Sequence, residues 1–128
     1  MTSQTDAPRT SATDSPLDRA RELHDWVAAG RIDDCMKTFY ADDVVMRENQ
    51  DEPVVGLEAN IVREQEFVAG VAEWKAYDVH ALAADGDTVL AEISMTFVTT
   101  GGDTVHVDQT SVSRWKDGQI LSERFYHG

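Results

Sequence analysis

The segment from Phe39 to Gly56 constrains the fold of this chain more than any other. Residues 39–49 read Phe-Tyr-Ala-Asp-Asp-Val-Val-Met-Arg-Glu-Asn, and residues 53–56 read Pro-Val-Val-Gly. This pattern predicts a helix end, an Asp-Asp turn, a short strand, a proline-containing loop and the start of another helix. Side chains alternate along a strand, so Val44, Met46 and Glu48 share one face. If that face is the core face, a carboxylate lies among apolar neighbours, which predicts a paired or pKa-shifted group in a pocket.

Three amphipathic helices are predicted in the first 74 residues. The first begins at Ser15, which can cap it, with Pro16 at the first helical position, and it ends at Gly30. A shorter second helix places three apolar side chains on one side: Ile32, Met36 and Phe39. The third helix is predicted from Leu57 to Trp74, and Glu64 falls in the middle of its apolar face. An acid inside an apolar stripe is the second anomaly of this sequence.

The second half of the chain predicts four antiparallel strands. Turns are expected at residues 85–87, 101–103 and 116–118, where Gly and Asp cluster between alternating apolar runs. In the final strand one face carries Leu121, Glu123, Phe125 and His127, and the other carries Ile120, Ser122, Arg124 and Tyr126. Helices packed on one face of a curved antiparallel sheet make an α+β structure, and the hollow between the two layers suits a ligand.

The charge of the chain excludes two classes of partner. The sequence has 24 acidic and 11 basic residues, a net charge of −13. A field of this sign repels nucleic acid and anionic membranes. The acids are spread along the chain, which favours a solvated acidic surface in a high-salt cytosol over a docking face for a basic partner. The first interpretation, a halophilic protein, predicts loss of the folded state below about 0.5 M salt.

The single cysteine and the apolar pattern bear on location. Cys35 is alone, so no intrachain disulfide can form, which fits a reducing cytoplasm. The sequence contains no apolar run of about 18 residues, so no membrane-spanning helix is expected. Residues 1–14 are polar, acidic and rich in Thr and Ser, and are expected to form a disordered tail.

Three segments together resemble a known family. They are residues 39–46, residues 53–56 and the run Arg-Trp-Lys-Asp-Gly-Gln-Ile at 114–120. In this order and spacing they resemble the SnoaL-like polyketide cyclase branch of the nuclear transport factor 2-like (cystatin-like) superfamily, over roughly Leu17 to His127. The resemblance implies an α+β cone, with helices packed on a strongly curved antiparallel sheet that encloses a pocket. It also implies frequent homodimers and functions from isomerase to cyclase to simple binding. Residues 15–128 are therefore expected to form a single SnoaL-like domain.

No catalytic set of these enzymes carries over whole. Ketosteroid isomerases carry a base on the strand after the Ala-Asp-Asp turn, where this chain has Glu48, but Leu23 and Ser111 occupy their oxyanion-hole positions. Limonene epoxide hydrolases need an Asp-Arg-Asp set, and the matching positions are apolar: Ile93, Met95 and Phe125. SnoaL-type cyclases use an Asp on a late strand, where Gln109 and Ser111 stand, which leaves Glu123 as the nearest substitute.

Three carboxylates are the candidate catalytic residues. Glu48 would be the general base, and Glu64 or Glu123, protonated because burial raises the pKa of a carboxyl, would donate to a developing enolate oxygen. Gln109 or Ser111 would assist. This chemistry suits isomerisation or aldol-type cyclisation of a hydrophobic carbonyl compound. The candidate ligand-binding residues are Met46, Phe67, Ile93, Met95, Phe97, Gln109, Ser111, Phe125 and His127.

A structural role is open for each acid. Glu64 could form an ion pair with Arg63 or Arg124. Glu48 could accept hydrogen bonds from the loop amides of residues 49–53. Glu123 would face solvent if the register of the last strand differed by one residue.

The sequence carries no metal-ligand spacing and no glycine-rich phosphate loop, so neither metal nor cofactor is expected. The expected partner is a small hydrophobic molecule. Three functions compete: an isomerase or cyclase, a non-catalytic ligand-binding module, and a dimerising module. A homodimer is expected through apolar residues on the outer sheet face: Leu90, Val98, Val112, Ile120 and Tyr126.

Overall fold

The computed structural model describes residues 15–128, so the predicted tail at residues 1–14 lies outside the described part of the chain. The elements in chain order are α1 (Pro16–Ala28), α2 (Ile32–Phe39), β1 (Tyr40–Glu48), β2 (Val54–Val55), α3 (Leu57–Ala69), β3 (Val71–Asp85), β4 (Thr88–Thr99), β5 (Thr104–Lys116) and β6 (Gln119–His127). The strands form a six-stranded sheet in the order β2-β1-β6-β5-β4-β3. Neighbouring strands are antiparallel except β1 and β6, which are parallel. The predicted α+β fold, with helices packed on this sheet, is confirmed.

Helix α1 begins as predicted, and it contacts the turn between β5 and β6. The hydroxyl of Ser15 accepts a hydrogen bond from the backbone amide of Asp18 at 3.1 Å, which caps the helix. Arg19 is 2% exposed, and its guanidinium donates to the carbonyl of Gly118 at 2.9 and 3.1 Å in the turn between β5 and β6. The same group lies 4.5 Å from the ring centre of Phe39. These contacts hold α1 and α2 against the sheet.

The predicted Asp-Asp turn is wrong, because β1 starts at Tyr40, directly after α2. Asp42 and Asp43 are exposed within the strand, where the pairing of β1 with β6 shifts register between Tyr40 and Val45. This irregularity accommodates two acids at the surface without ending the strand. Beyond it the alternation is as predicted: Val44 and Met46 are buried on the inner face that Glu48 shares.

Helix α3 is shorter than predicted. It ends at Ala69, and the amide of Gly70 closes it on the carbonyls of Phe67 and Val68. The next residues enter β3, where Trp74 pairs with Phe97 of β4. In the sequence, apolar residues after Gly70 continue the helical periodicity, which is why a longer helix is predicted. In the structure these residues pair with β4 and form a strand.

The last strand carries a second irregularity. The pairing of β5 with β6 shifts between Arg114 and Trp115, and Ile120 is fully buried whereas Leu121 is 40% exposed. The prediction that Ile120 belongs to the outer face is therefore wrong, as is the inward placement of Leu121. After this shift Glu123 points inward. Within residues 15–128, no helix combines the length and apolarity needed to cross a membrane.

Candidate functional site

A cavity of about 680 Å³ lies between the helices and the sheet. Its wall is formed by all three helices and by β1, β3, β4, β5 and β6. The structure brings most of the predicted ligand-binding residues to this wall: Met46, Phe67, Ile93, Met95, Gln109, Phe125 and His127. Side chains of three helices and five strands therefore surround one cavity that is large enough for a small-molecule ligand.

Two predicted ligand-binding residues lie outside the cavity lining. Phe97 is 6% exposed and packs against Phe67 and Trp74, with ring centres 5.4 Å apart in both pairs. It therefore supports two aromatic side chains of the wall from behind. Ser111 is 2% exposed, on the inner face of β5. Neither residue is part of the cavity lining, and their role in ligand binding stays a prediction.

Glu123 is the most strongly perturbed acid of the cavity wall. It is 5% exposed, so the outward-facing alternative does not apply. The pKa of its carboxyl is raised to about 7, mainly by burial, with the charges of the neighbouring Glu64 and Glu48 adding to the rise. The hydroxyl of Tyr40 donates a hydrogen bond of 2.5 Å to Oε1 of Glu123, which lowers that pKa. Both protonation states of Glu123 are therefore populated at neutral pH.

Glu48 lies at the same cavity but in a charged environment. Its Oε2 accepts a hydrogen bond from Arg63 at 3.2 Å, and its Oε1 lies 2.8 Å from Nε2 of His127. These side chains, and not the amides of the loop at 49–53, contact its carboxylate. Asn49 accepts a hydrogen bond from the amide of His127 at 2.9 Å, which holds the end of β6 in place.

Glu64 also lines the cavity, and burial raises the pKa of its carboxyl. The alternative role in an ion pair with Arg63 or Arg124 is not seen among the described residues, because Arg63 bonds Glu48 and Arg124 donates to the carbonyl of Asn49. Within residues 15–128, no hydrogen bond or ion pair holds its carboxylate. It is therefore the least constrained of the three acids.

The arrangement of Arg63 depends on a buried asparagine. Asn60 is fully buried, and its side-chain amide donates to the carbonyls of Val54 and Gly56 at 3.0 and 2.8 Å. Its Oδ1 accepts a hydrogen bond from Arg63 at 3.3 Å. The start of α3, the short strand β2 and the Arg63–Glu48 pair are thereby coupled.

Sequence reasoning missed several polar groups of the cavity. Tyr40 was assigned to a helix end, and its partner Glu123 is 83 residues away. His24 and Tyr77 both line the cavity, and Nδ1 of His24 lies 2.7 Å from the Tyr77 hydroxyl. The available signal was a histidine inside the apolar stripe of α1 and a tyrosine on the inner face of β3. Cys35 is buried, and burial raises the pKa of its thiol to about 12.

Across residues 15–128, no group of three or more His, Cys, Asp or Glu side chains has the geometry of a metal site. The expectation of a metal-independent function stays a prediction.

Comparison with known structures supports the fold. A protein from Jannaschia sp. CCS1, provisionally named a SnoaL-like polyketide cyclase, is 18% identical with a TM-score of 0.78, over 96% of this chain and 90% of that chain. A provisionally named hydroxylase from Streptomyces galilaeus is 15% identical with a TM-score of 0.75, over 88% of both chains. A provisionally named isomerase from Bacillus subtilis is 17% identical with a TM-score of 0.68, over 87% of this chain and 84% of that chain.

These three names cover different reactions, so structural similarity does not identify the reaction. Among curated proteins, none matches the sequence significantly. The family profile of the SnoaL-like domain, however, matches residues 20–123, from within α1 to Glu123 in β6. The chain belongs to the SnoaL-like domain family.

Proposed function

We propose that this protein binds a small hydrophobic carbonyl compound in its cavity and transfers a proton on it, as an isomerase or a cyclase. One observation carries the proposal. An ion-paired carboxylate, Glu48, and a buried carboxyl with a pKa of about 7, Glu123, line the same cavity. Two carboxyl groups in different protonation states are the requirement for general base and general acid in one site.

In this mechanism Glu48 removes a proton from the carbon beside the carbonyl group of the ligand. The electron pair of the broken C–H bond forms a C=C bond, and negative charge moves to the carbonyl oxygen. Protonated Glu123 donates a proton to that oxygen, while Tyr40 donates to its Oε1. Glu48 then returns its proton to a different carbon while the enol oxygen gives its proton back to Glu123, which re-forms the carbonyl group and gives an isomer. In a cyclisation the enol carbon instead forms a C–C bond to a second carbonyl carbon. The enol oxygen returns its proton to Glu123, and the new alkoxide oxygen takes the proton held by Glu48.

Glu64 and Gln109 have supporting roles in this proposal. Glu64 lines the cavity with a raised pKa and offers a second proton donor. Gln109 also lines the cavity and can donate from its amide to the same oxygen. Apolar side chains hold the body of the ligand: Met46, Phe67, Ile93, Met95 and Phe125. The cyclase and isomerase names of two structural neighbours support this class of chemistry.

Exchange of hydrogen for deuterium on β-tetralone, a two-ring ketone, tests the proton transfer directly. The ketone would be incubated with the protein in D2O and followed by NMR, and its binding would be measured separately by fluorescence. We expect the parent protein to accelerate exchange above buffer, and Glu48→Gln to slow it by about 10²-fold or more with binding retained. Glu66→Gln, an exposed acid on α3, is the matched control and should leave the rate unchanged.

The outcomes separate catalysis from binding alone. Binding of β-tetralone without faster exchange in the parent protein would contradict the catalytic proposal and favour the alternative, a non-catalytic ligand-binding module. A Glu48→Gln protein that exchanges as fast as the parent would remove Glu48 from the role of base. In that case Glu64→Gln would identify whether the unpaired acid takes its place.

The proposal extends to assembly and environment. We expect a homodimer through the outer sheet face, because Leu90 and Tyr126 are 42% and 43% exposed there. We also expect a protein of the cytoplasm that works at high salt. The acidic composition and the free, buried Cys35 support this placement.

A further inference from the structure

We propose that His24 and Tyr77 form a second ligand-binding site in the same cavity, which binds a neutral acceptor oxygen of the ligand, separate from the oxygen at Glu123. The inference deepens the proposed function and rests on it. It specifies a ligand with two oxygen functions, a diketone or a hydroxyketone, in place of a simple ketone.

The two residues lie on a different part of the wall from the Tyr40–Glu123 pair. His24 belongs to α1 and Tyr77 to β3, whereas Tyr40 and Glu123 belong to β1 and β6. In the sheet, β5 and β4 lie between β6 and β3. Three strand spacings amount to about 14 Å measured along the sheet, and the direct path across the hollow of a curved sheet is shorter. Glu123 adds to the effect of burial in raising the pKa of Tyr77, so the two pairs lie within electrostatic range of each other across the cavity. This range suits a ligand of two fused rings with oxygens at opposite ends.

The protonation states of the pair leave one donor unused. Burial lowers the pKa of His24 to about 4 and raises the pKa of Tyr77, so both side chains are neutral at cellular pH. A neutral imidazole has one N–H, and a phenol has one O–H. Their mutual hydrogen bond of 2.7 Å uses only one of these two hydrogens.

The second hydrogen has no protein acceptor in the described part of the chain. If Tyr77 donates to Nδ1, His24 keeps an N–H on Nε2; if Nδ1 donates, Tyr77 keeps its O–H. Neither residue makes a further hydrogen bond within residues 15–128. His24 is 9% exposed and both residues line the cavity. An unpaired donor in a buried wall is costly, so the position fits an acceptor oxygen supplied by the ligand.

The charge of the cavity selects the kind of oxygen. Glu48, Glu64 and Glu123 line the same space, and the arginine and lysine that also line it are each paired with an acid, Arg63 with Glu48 and Lys75 with Glu73. A carboxylate or phosphate on the ligand would be repelled by these acids, whereas a carbonyl or hydroxyl oxygen would not. The second site is therefore expected to take an uncharged oxygen.

Two isosteric probes test this inference: 2,6-diacetylnaphthalene and 2-acetyl-6-isopropenylnaphthalene. They differ only by a C=O in place of a C=CH2 group, so their shapes match and one lacks the second acceptor. Dissociation constants would be measured by fluorescence titration. We expect the parent protein to prefer the diketone by about tenfold or more, as for a site with a buried donor.

The decisive variant is His24→Leu combined with Tyr77→Phe, because either single variant would leave a donor in place. Replacing both hydrogen-bonded partners by apolar groups is close to neutral for folding. We expect the double variant to bind both probes equally, within about twofold, and to keep the affinity of the parent for the isopropenyl probe. Tyr126→Phe, an exposed tyrosine on β6, is the control and should keep the preference.

A ligand-free measurement gives a second readout if the double variant does not fold. Nitrogen-15 NMR of His24 in the parent should show one protonated and one bare ring nitrogen between pH 6 and 8. Titration of His24 near its ordinary pKa of about 6.5 would overturn the inference. Equal binding of the two probes by the parent, or failure to bind either, would overturn it as well. Preference for the diketone without exchange of β-tetralone would refute the proposed catalysis alone and leave this site standing.

Discussion

The hydroxyl of Tyr40 donates to Oε1 of Glu123 over 2.5 Å, and both side chains are almost completely buried in the cavity wall. Two opposing effects meet at this carboxyl. Burial raises the pKa of Glu123, because the charged form loses its hydration. The hydrogen bond from Tyr40 lowers that pKa, because it stabilises the charged form. The balance places the proton of Glu123 within the range where it can be gained or given near neutral pH.

Removal of the Tyr40 hydroxyl should therefore raise the pKa of Glu123 above about 7. The variant is Tyr40→Phe, and the measurement is a pH titration of the side-chain carboxyl carbons by carbon-13 NMR. Glu123→Gln identifies the resonance, and Tyr126→Phe serves as the control. An unchanged or lower pKa of Glu123 in Tyr40→Phe would show that the hydrogen bond does not stabilise the carboxylate.

Glu123 and His24 should give the protein two opposing pH dependences of stability. The pKa of Glu123 rises from 4.5 to about 7 on folding, so its contribution to stability is full below pH 4.5 and falls as the pH rises through 7. The pKa of His24 falls from 6.5 to about 4, so its contribution is full above pH 6.5 and falls as the pH drops through 4. Between pH 4.5 and 6.5 the two contributions to the free energy of unfolding change with pH in opposite directions, so they largely cancel.

Single variants should reveal the pH dependence of stability that each residue contributes. Relative to the parent, Glu123→Gln should gain about 2–3 kcal/mol of unfolding free energy as the pH rises from 4.5 to 6.5, and His24→Leu should lose about as much. Urea unfolding at several pH values in that range measures both. Curves for the two variants that remain parallel to that of the parent would refute the assigned pKa shifts.

Local patterns in the sequence predict which side chains of a strand share a face. The alternation of Val44, Met46 and Glu48 on β1 placed one acid at the cavity correctly. The same rule failed at Ile120, because a shift in the pairing of β5 with β6 reverses the faces of the residues beside it. That shift depends on contacts between strands, which no local pattern contains.

Pairs that are distant in the sequence were beyond prediction. The Tyr40–Glu123 and His24–Tyr77 contacts join residues 83 and 53 positions apart. Each of these residues alone is consistent with a core position. Only the tertiary fold brings the two members of each pair into contact. An acid on an apolar face is unusual and therefore indicates a candidate site from the sequence alone, whereas a tyrosine on an inner face is ordinary and gives no such signal.

Asn60 should be a strong determinant of stability. Asn60→Ala would remove one hydrogen-bond donor from each of the carbonyls of Val54 and Gly56 and an acceptor from Arg63. Because the site is fully buried, we expect a loss of about 2–3 kcal/mol in the free energy of unfolding. Urea denaturation measures this loss, and Glu58→Ala, an exposed change on the same helix, should cost less than about 0.5 kcal/mol. Equal costs for the two variants would contradict the structural role of Asn60.

Assembly can be tested on the outer sheet face. We expect light scattering after size-exclusion chromatography to give twice the mass of one chain, and Leu90→Asp to give the mass of a monomer, since a buried charge at an interface is costly. Val55 is 67% exposed on the short strand β2, and Val55→Asp should leave the dimer intact. A monomeric parent protein would refute the dimer, and equal dissociation by both variants would place the interface elsewhere.

The charge of the chain should make folding depend on salt. The net charge is −13, and neighbouring acids are exposed at Asp33–Asp34 and Asp42–Asp43. Raising the salt concentration shortens the screening length from about 10 Å at 0.1 M to about 4 Å at 0.5 M, which relieves repulsion between such neighbours. We therefore expect the far-UV circular dichroism of the folded state to be lost below about 0.5 M NaCl and to return when salt is added back. KCl at equal ionic strength should act alike, because screening depends on ionic strength and not on the cation. A free energy of unfolding that is the same in dilute buffer and in concentrated salt would show that the acidic surface is tolerated without screening, and would refute the halophilic interpretation.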